Sequence, residues 1–300
     1  MNLRLRRELH TDGYTDAEIR RALRAGRLCA VRRGAYLAGP APGDPVARHL
    51  AEVRAAAVAL CPDAVVSHVS AALVHGLPVW AVPLDRVCVT RPRRRSGARI
   101  GARVHVRCAP LDTADVVERD GIAVTSPTRT LLDVARTVPF EQAVVIVDAA
   151  LRVGLVDHGA LAAELERRRR WPGGPAAGRA FAFADGRSDN PGESRSRVAI
   201  AAAGLPPPQL QWEVRTNGGV LLGIADFGWK RHRTVGEFDG RRKYGRDLRP
   251  GQEPGDAVFA EKLREDALRA EGLAVVRWTW TDLDHFAPVA ERIRARLAGR

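Results

Sequence analysis

Residues 235–245 read VGEFDGRRKYG, with Glu237 and Asp239 two apart at the end of an apolar run. Lys243 follows four later, behind Arg241 and Arg242. In an extended chain, side chains at i and i+2 share a face, so the two acids point together and Phe238 points away. Asp226 closes the preceding strand-like run and can reach that face, and Glu193 can join it from the first turn of an earlier helical stretch. Carboxylates gathered in this way repel and raise one another's pKa. A hard divalent cation such as Mg2+ relieves the repulsion, because it prefers oxygen ligands. Asp226, Glu237 and Asp239 are the expected metal ligands. With Glu193 and a cation from Lys243 or the Arg241-Arg242 pair they supply the parts for hydrolysing a phosphodiester: a Lewis acid, an activated water and a positive charge near the developing negative one. The plainer reading is an ion-pair set in which Glu237 and Asp239 answer Arg241 and Arg242.

The surrounding pattern says what would hold these groups. ESRSRVAIAAAGL at 193–205 is helical, opened by Pro191-Gly192 and closed by Gly204. Two strand-like runs flank Asn217-Gly218, a strong hairpin signal. TVGEFDG is a third strand, 256–272 an amphipathic helix with Phe259, Leu263 and Ala267 inward, and LAVVRWTW at 273–280 a fourth strand apolar enough to be central in a sheet. The order Glu193, Asp226, Glu237-x-Asp239 with Lys243 beyond resembles the restriction-endonuclease-like PD-(D/E)xK superfamily. Segment 193–283 resembles, within it, the Vsr-like very-short-patch-repair endonuclease-related domain family, through EFDGRRKYG, EKLRED at 261–266 and VVRWTW. The resemblance implies a mixed sheet flanked by helices, with a metal-dependent site at one end. The chain departs from that pattern in two places. Asp239 stands where the lysine is usual, leaving Lys243 or Lys262 to replace it, and Ala225 rather than proline precedes Asp226.

The N-terminal part points to a different chemistry. Residues 3–10 read as a short basic helix, and Thr15 with Glu18 three later forms a capping box for a helix from Asp16 to Gly26. LCAVRRGAYLA then reads as a hairpin around Arg32-Arg33-Gly34. Helix, turn, helix, hairpin is the layout of a winged helix. Ile19 and Leu23 face inward, while Arg20, Arg21, Arg24 and Arg27 face solvent, suited to a DNA groove, with Arg32 and Arg33 near a phosphate strand. A solvated basic helix would look the same. Residues 1–38, SHVSAALVHGLP at 67–78 and TSPTRTLLDVAR at 125–136 resemble the AbiEi-type antitoxins of type IV toxin–antitoxin systems, which implies an N-terminal winged helix, DNA binding and a toxin partner.

Four segments follow: a winged-helix domain over 1–40, an α/β antitoxin-like region over 41–166, a linker over 167–192 and a restriction-endonuclease-like domain over 193–300. The expected fold class is thus α/β multidomain, with an N-terminal winged helix, an α/β middle and a C-terminal mixed sheet flanked by helices. In the middle region, RPRRRSGAR at 91–99 carries five arginines and no acid. His68 and His75 read as helix-packing residues rather than metal ligands, and Arg129 and Asp133 as an i,i+4 ion pair.

Composition bounds all of this. The chain has 300 residues, 48 Lys plus Arg against 35 Asp plus Glu, and a net charge of +13, which favours a polyanionic partner. Cys29, Cys61, Cys88 and Cys108 form no CxxC pair and read as reduced thiols of a cytoplasmic protein. No apolar run is long enough to span a membrane, and MNLRLRRELH lacks the core of a signal peptide. Two functions stand against each other: a Mg2+-dependent DNA endonuclease docked by its winged helix, and a non-enzymatic regulator or antitoxin with a degenerate nuclease domain.

Overall fold

A computed structural model describes residues 3–59, 63–92, 99–100, 102–216, 218–240, 264 and 266–299. It divides into two compact units, Met1–Ile146 with Leu155–Ala182, and Val147–Gly154 with Phe183–Arg300. The protein is a mixed α/β chain with three sheets.

The first unit opens with β1 (Leu3–Leu5), α1 (Arg6–Thr11), α2 (Asp16–Arg24), β2 (Leu28–Arg32) and β3 (Ala35–Ala38). The strands form an antiparallel sheet in the order β1-β3-β2. The capping box holds as read: Glu18 N donates to Thr15 Oγ1 at 3.3 Å, and Thr15 N to Glu18 Oε2 at 2.8 Å. The expected helix over 3–10 begins three residues late. Leu3 and Leu5 instead pack a short strand against Val31, Ala35 and Leu37.

α3 (Pro45–Ala59) serves two cores at once. Ala51 and Ala55 join the cluster of the small sheet, while Val53 and Ala56 join Val66, Val87, Val89 and Val124 of a larger one. Small side chains on two faces of the helix allow both layers to approach. The expected boundary at residue 40 is therefore not a break between cores. The larger sheet holds β4 (Val65–Val66), β5 (Val87–Arg91), β6 (Arg99–Ile100), β7 (Val104–Cys108), β8 (Val116–Arg119) and β9 (Ile122–Thr125) in the order β6-β7-β5-β4-β9-β8. Its helices are α4 (His68–Val74), α5 (Pro127–Ala135), α6 (Phe140–Arg152), α7 (His158–Arg167) and α8 (Gly174–Phe183).

A buried ion cluster fastens this unit. Asp115 is fully buried and accepts from Arg129 Nη1 at 3.0 Å, from Arg168 Nη2 at 2.5 Å and from Arg167. Arg129 also donates to Asp133 at 2.8 Å, and Arg168 to Glu164 at 2.6 Å. The guanidinium groups of Arg129, Arg136 and Arg168 lie 4.6–5.0 Å from the centre of the Trp171 ring. Burial raises the pKa of Asp115, but the Asp112 N–H together with Arg168 and Arg129 overcomes it and holds the carboxyl below its ordinary range. The pair Arg129–Asp133 is present as expected, inside a larger network. Residues 167–192, expected as a linker, are packed chain: Arg168 and Trp171 belong to the cluster, and α8 buries Ala177, Ala180 and Phe181.

The second unit is built on α9 (Pro191–Ala202), β10 (Gln209–Arg215), β11 (Leu221–Trp229), β12 (Thr234–Asp239), β13 (Ala274–Thr279), α10 (Trp280–Asp284) and α11 (Ala287–Ala298). Its sheet runs β10-β11-β12-β13, antiparallel except for the β12–β13 pair. Phe227, Trp229, Phe238, Trp278 and Ile293 form one core, with Trp278 Nε1 donating to Ser196 Oγ at 2.7 Å. Val214, Ala225, Val235, Leu268 and Leu273 form another. β13 lies at an end of the sheet among the described residues, not at its centre. Its continuous apolar run reflects two covered faces, Val276 and Trp278 meeting one core and Val275 the other. Of the expected 256–272 helix, residues 266–270 are helical, whereas Phe259 and Leu263 lie outside the described residues.

Removing one member of a buried ion network strands its partners in a poorly solvating interior. Asp115→Asn is expected to cost about 3 kcal/mol, read as a lower urea midpoint for the first unit. An unchanged midpoint would show that the cluster is not structural.

Candidate functional site

The acids of the second unit separate into two groups. Glu193 sits in the first turn of α9, whose N-cap Asn190 accepts from Glu193 N at 3.0 Å. Its carboxylate is 4% exposed and accepts from Asp189 N at 2.8 Å, Asn190 Nδ2 at 2.5 Å and Gln211 Nε2 at 3.0 Å. Gln211 has φ +48, a left-handed conformation rare for a residue with a side chain. It sits between the pairs Leu210–Phe227 and Trp212–Ala225, where the hairpin changes the core it faces: Leu210 and Phe227 lie in one cluster, Val214 and Ala225 in the other. Asp226 lies across from this point, and its Oδ2 accepts from Phe238 N at 2.8 Å. Burial, and then the nearby Asp226 charge, push the Glu193 pKa up to about 8. Glu193 is therefore mostly protonated at neutral pH.

Glu237 belongs to the second group. It is 6% exposed, and its carboxylate is taken by two arginines: Arg264 Nη2 donates to Oε1 at 2.6 Å, and Arg277 Nη2 lies 3.1 Å from Oε2. Arg264 also donates to the Ile224 carbonyl at 3.1 Å. Asp239 is half-buried at the end of β12, in register with Thr279. Phe238 turns into the core as expected, its ring against Gly192 and edge-on to Trp280 at 5.1 Å. Lys243, Lys262, Arg241 and Arg242 lie outside the described residues.

The structure thus brings Glu193 to Asp226 and gives Glu237 to guanidinium groups. A Mg2+ ion between Asp226, Glu237 and Asp239 would have to displace both arginines from Glu237. Among the described residues, no three His, Cys, Asp or Glu side chains converge to hold a metal. The expected Mg2+ does not fit this arrangement, and no hydrolytic step follows from it. The ion-pair reading comes closer in kind, although the partners are Arg264 and Arg277.

The basic groups of the first unit lie where the sequence placed them. Ile19 and Ala22 of α2 are buried, and Arg20, Arg21, Arg24 and Arg27 are exposed. Arg33 is exposed in the β2–β3 turn, and Arg32 is half-buried. The acid nearest Arg21 is Glu18, at 3.9 Å. Positions 20 and 24 share a face of α2, so their charges add on one side, and Arg27 follows just past the helix end. His75 Nε2 donates to the Thr125 carbonyl at 2.8 Å, the packing role expected of it. Cys29 and Cys88 are free thiols, and Cys61 lies outside the described residues, as do Arg93, Arg94 and Arg95. Among the described residues, no helix is long and apolar enough to cross a membrane.

The Glu193 carboxyl binds its proton more tightly folded than unfolded, between its ordinary pKa of 4.5 and about 8. Folding stability is thus expected to fall as pH rises through that window. Chemical denaturation of wild type and Glu193→Gln from pH 5 to pH 9 measures it: the wild type loses stability with pH and the variant much less. Equal slopes would place the carboxyl outside this buried pair.

The family described as AbiEi antitoxin C-terminal domain matches residues 64–172, most of which lie in the first unit. Two curated proteins of Mycobacterium tuberculosis, the uncharacterized protein MT2308 of strain CDC 1551 / Oshkosh and the uncharacterized protein Rv2248 of strain ATCC 25618 / H37Rv, are each 30% identical over 148 residues. That covers 49% of this chain and 53% of each relative, so the chain spans about half the length of the curated relatives it matches. A crystal structure of the RV2827C protein from Mycobacterium tuberculosis aligns with a TM-score of 0.40 and 18% identity, over 65% of this chain and 75% of that one. Segment 64–172, with the larger sheet and its buried ion cluster, is the AbiEi-like part of the protein.

Proposed function

We propose that the protein is a non-enzymatic, DNA-binding regulator of the antitoxin type, working with a cognate toxin protein. In this reading residues 1–40 are a winged helix that docks on DNA through α2, residues 41–166 are the antitoxin-like region, and residues 193–300 keep a restriction-endonuclease-like layout without a working metal site. The observation that carries it is the exposed arginine face of α2: Arg20, Arg21 and Arg24 project to solvent on a helix whose other side is buried, and exposed Arg27 follows its end. A face of this kind neutralises phosphates and releases their counterions. The match of 64–172 to an antitoxin domain supports the regulatory role and the toxin partner. Hydrolysis is the weaker reading, because Glu237, the centre of the expected metal site, is held by Arg264 and Arg277.

Gel-shift titration of promoter DNA from the protein's own gene, over a range of salt, tests the reading. Arg20→Ala with Arg24→Ala is expected to weaken binding at least about tenfold and to reduce the salt slope by about two, with unchanged circular dichroism. Full affinity in the folded double variant would remove α2 as the DNA-binding element.

A further inference from the structure

A cleft of about 240 Å3 opens in the first unit, wholly within residues 64–172. His68, Ala81, Arg86, His105, Arg107 and Val138 are among its walls. Two of these depart from ordinary backbone geometry: His68 has φ +55 and Ala81 φ +49. Left-handed conformations are strained for residues with side chains, and such strain gathers at binding sites. The surrounding structure holds the strain in place. His49 Nδ1 donates to the Leu84 carbonyl at 3.0 Å beside the cleft, its Nε2 accepts from Ser70 Oγ at 2.9 Å, and Ser70 Oγ accepts from Cys88 N at 2.8 Å.

His68 itself is 3% exposed. Thr90 Oγ1 donates to Ser67 Oγ at 2.8 Å, and Ser67 Oγ lies 2.9 Å from His68 Nδ1. A hydroxyl that accepts from Thr90 has its own proton left to give, and Nδ1 takes it. That leaves the hydrogen of the neutral ring on Nε2, and Nε2 has no partner among the described residues. Burial, with Arg107, Arg136, Arg129 and His105 nearby, holds the imidazole well below its ordinary pKa, so the ring stays a neutral donor. Arg107 Nε is buried and unpartnered as well. A buried donor without an acceptor is costly, and two beside one cleft call for an acceptor from outside. Arg86 and Arg107 bring positive charge to the same walls, with Asp85 3.4 Å from Arg86. Val69, Val82 and Val138 supply an apolar side.

We propose that this cleft binds a small organic oxyanion, a phosphate or carboxylate carried on a compact apolar body, with the oxygens accepting from His68 Nε2 and Arg107 and the body lying against the valines. The volume lies below the roughly 300–1,000 Å3 usual for drug-sized ligands, so the ligand is fragment-sized. The site is independent of the arginine face of α2.

Calorimetric titration of the full chain with phenyl phosphate, benzoate and inorganic phosphate tests the site, using His68→Asn and Arg107→Gln. Asparagine keeps a polar group near the Nδ1 position and tolerates a positive φ, but lacks the Nε2 donor. Arg107→Gln keeps the test alive should His68→Asn fail to fold. Phenyl phosphate or benzoate is expected to bind saturably and more tightly than inorganic phosphate, and at least tenfold more weakly in each folded variant. Binding of phenyl phosphate alone identifies the head group as phosphate, and binding of benzoate alone as carboxylate. Saturation by no probe, inorganic phosphate binding as tightly as the aromatic ones, or a folded variant with wild-type affinity would overturn the proposal.

Discussion

A fully buried carboxylate, Asp115, collects three arginines from two helices and the residue beyond one of them. A lone charge in that position could not stay ionised, because desolvation would far exceed any single attraction. The cluster survives by being shared: Asp133 and Glu164 hold the other ends of Arg129 and Arg168, and Trp171 offers its ring to three guanidinium groups. It ties the turn before β8 to α5 and α7. The cluster lies beside the larger sheet, and its Arg136 and Arg129 add to the burial and the Arg107 charge that hold the His68 pKa down. The same electrostatics that hold this unit together therefore shape its cleft.

The second unit solves a similar problem differently. Glu193 and Asp226 stand close enough for one to suppress ionisation of the other, and their hydrogen bonds run mainly to backbone and amide groups. Glu237, a short distance along the sheet, is neutralised by Arg264 and Arg277. Two of the acids that a sequence pattern gathers into one metal site thus have other partners: Glu193 is held protonated beside Asp226 at the sheet's change of face, and Glu237 pairs with two arginines on β12's side of the sheet. Among the described residues, α2 presents Arg20, Arg21 and Arg24 to solvent.

Much of this architecture can be read directly from the chain. The Thr15–Glu18 capping box, the Arg33-Gly34 turn, the antiparallel pairing of β10 and β11 and the alternation that buries Phe238 depend on neighbours a few residues away. What escapes such reading depends on distant partners. The run of four arginines at 167–170 looks like a linker, and only Asp115, some fifty residues earlier, makes Arg168 a core residue. Arg264 and Arg277 reach Glu237 from across a long connection. The β8–β9 hairpin did carry a local sign: Asp120 and Gly121, with φ +50 and +73, form the Asp-Gly turn that favours a tight connection. The left-handed Gln211 and His68 carry no such sign, because their strain is imposed by the packing around them.

The central claim is that the protein holds DNA without cutting it. Supercoiled plasmid incubated with the full chain and Mg2+ or Mn2+, then resolved on an agarose gel before and after protein removal, tests it most directly. The claim expects retarded DNA before removal and intact supercoils afterwards. Nicks or breaks that disappear in Asp226→Ala would contradict it and restore the hydrolytic reading of the acids.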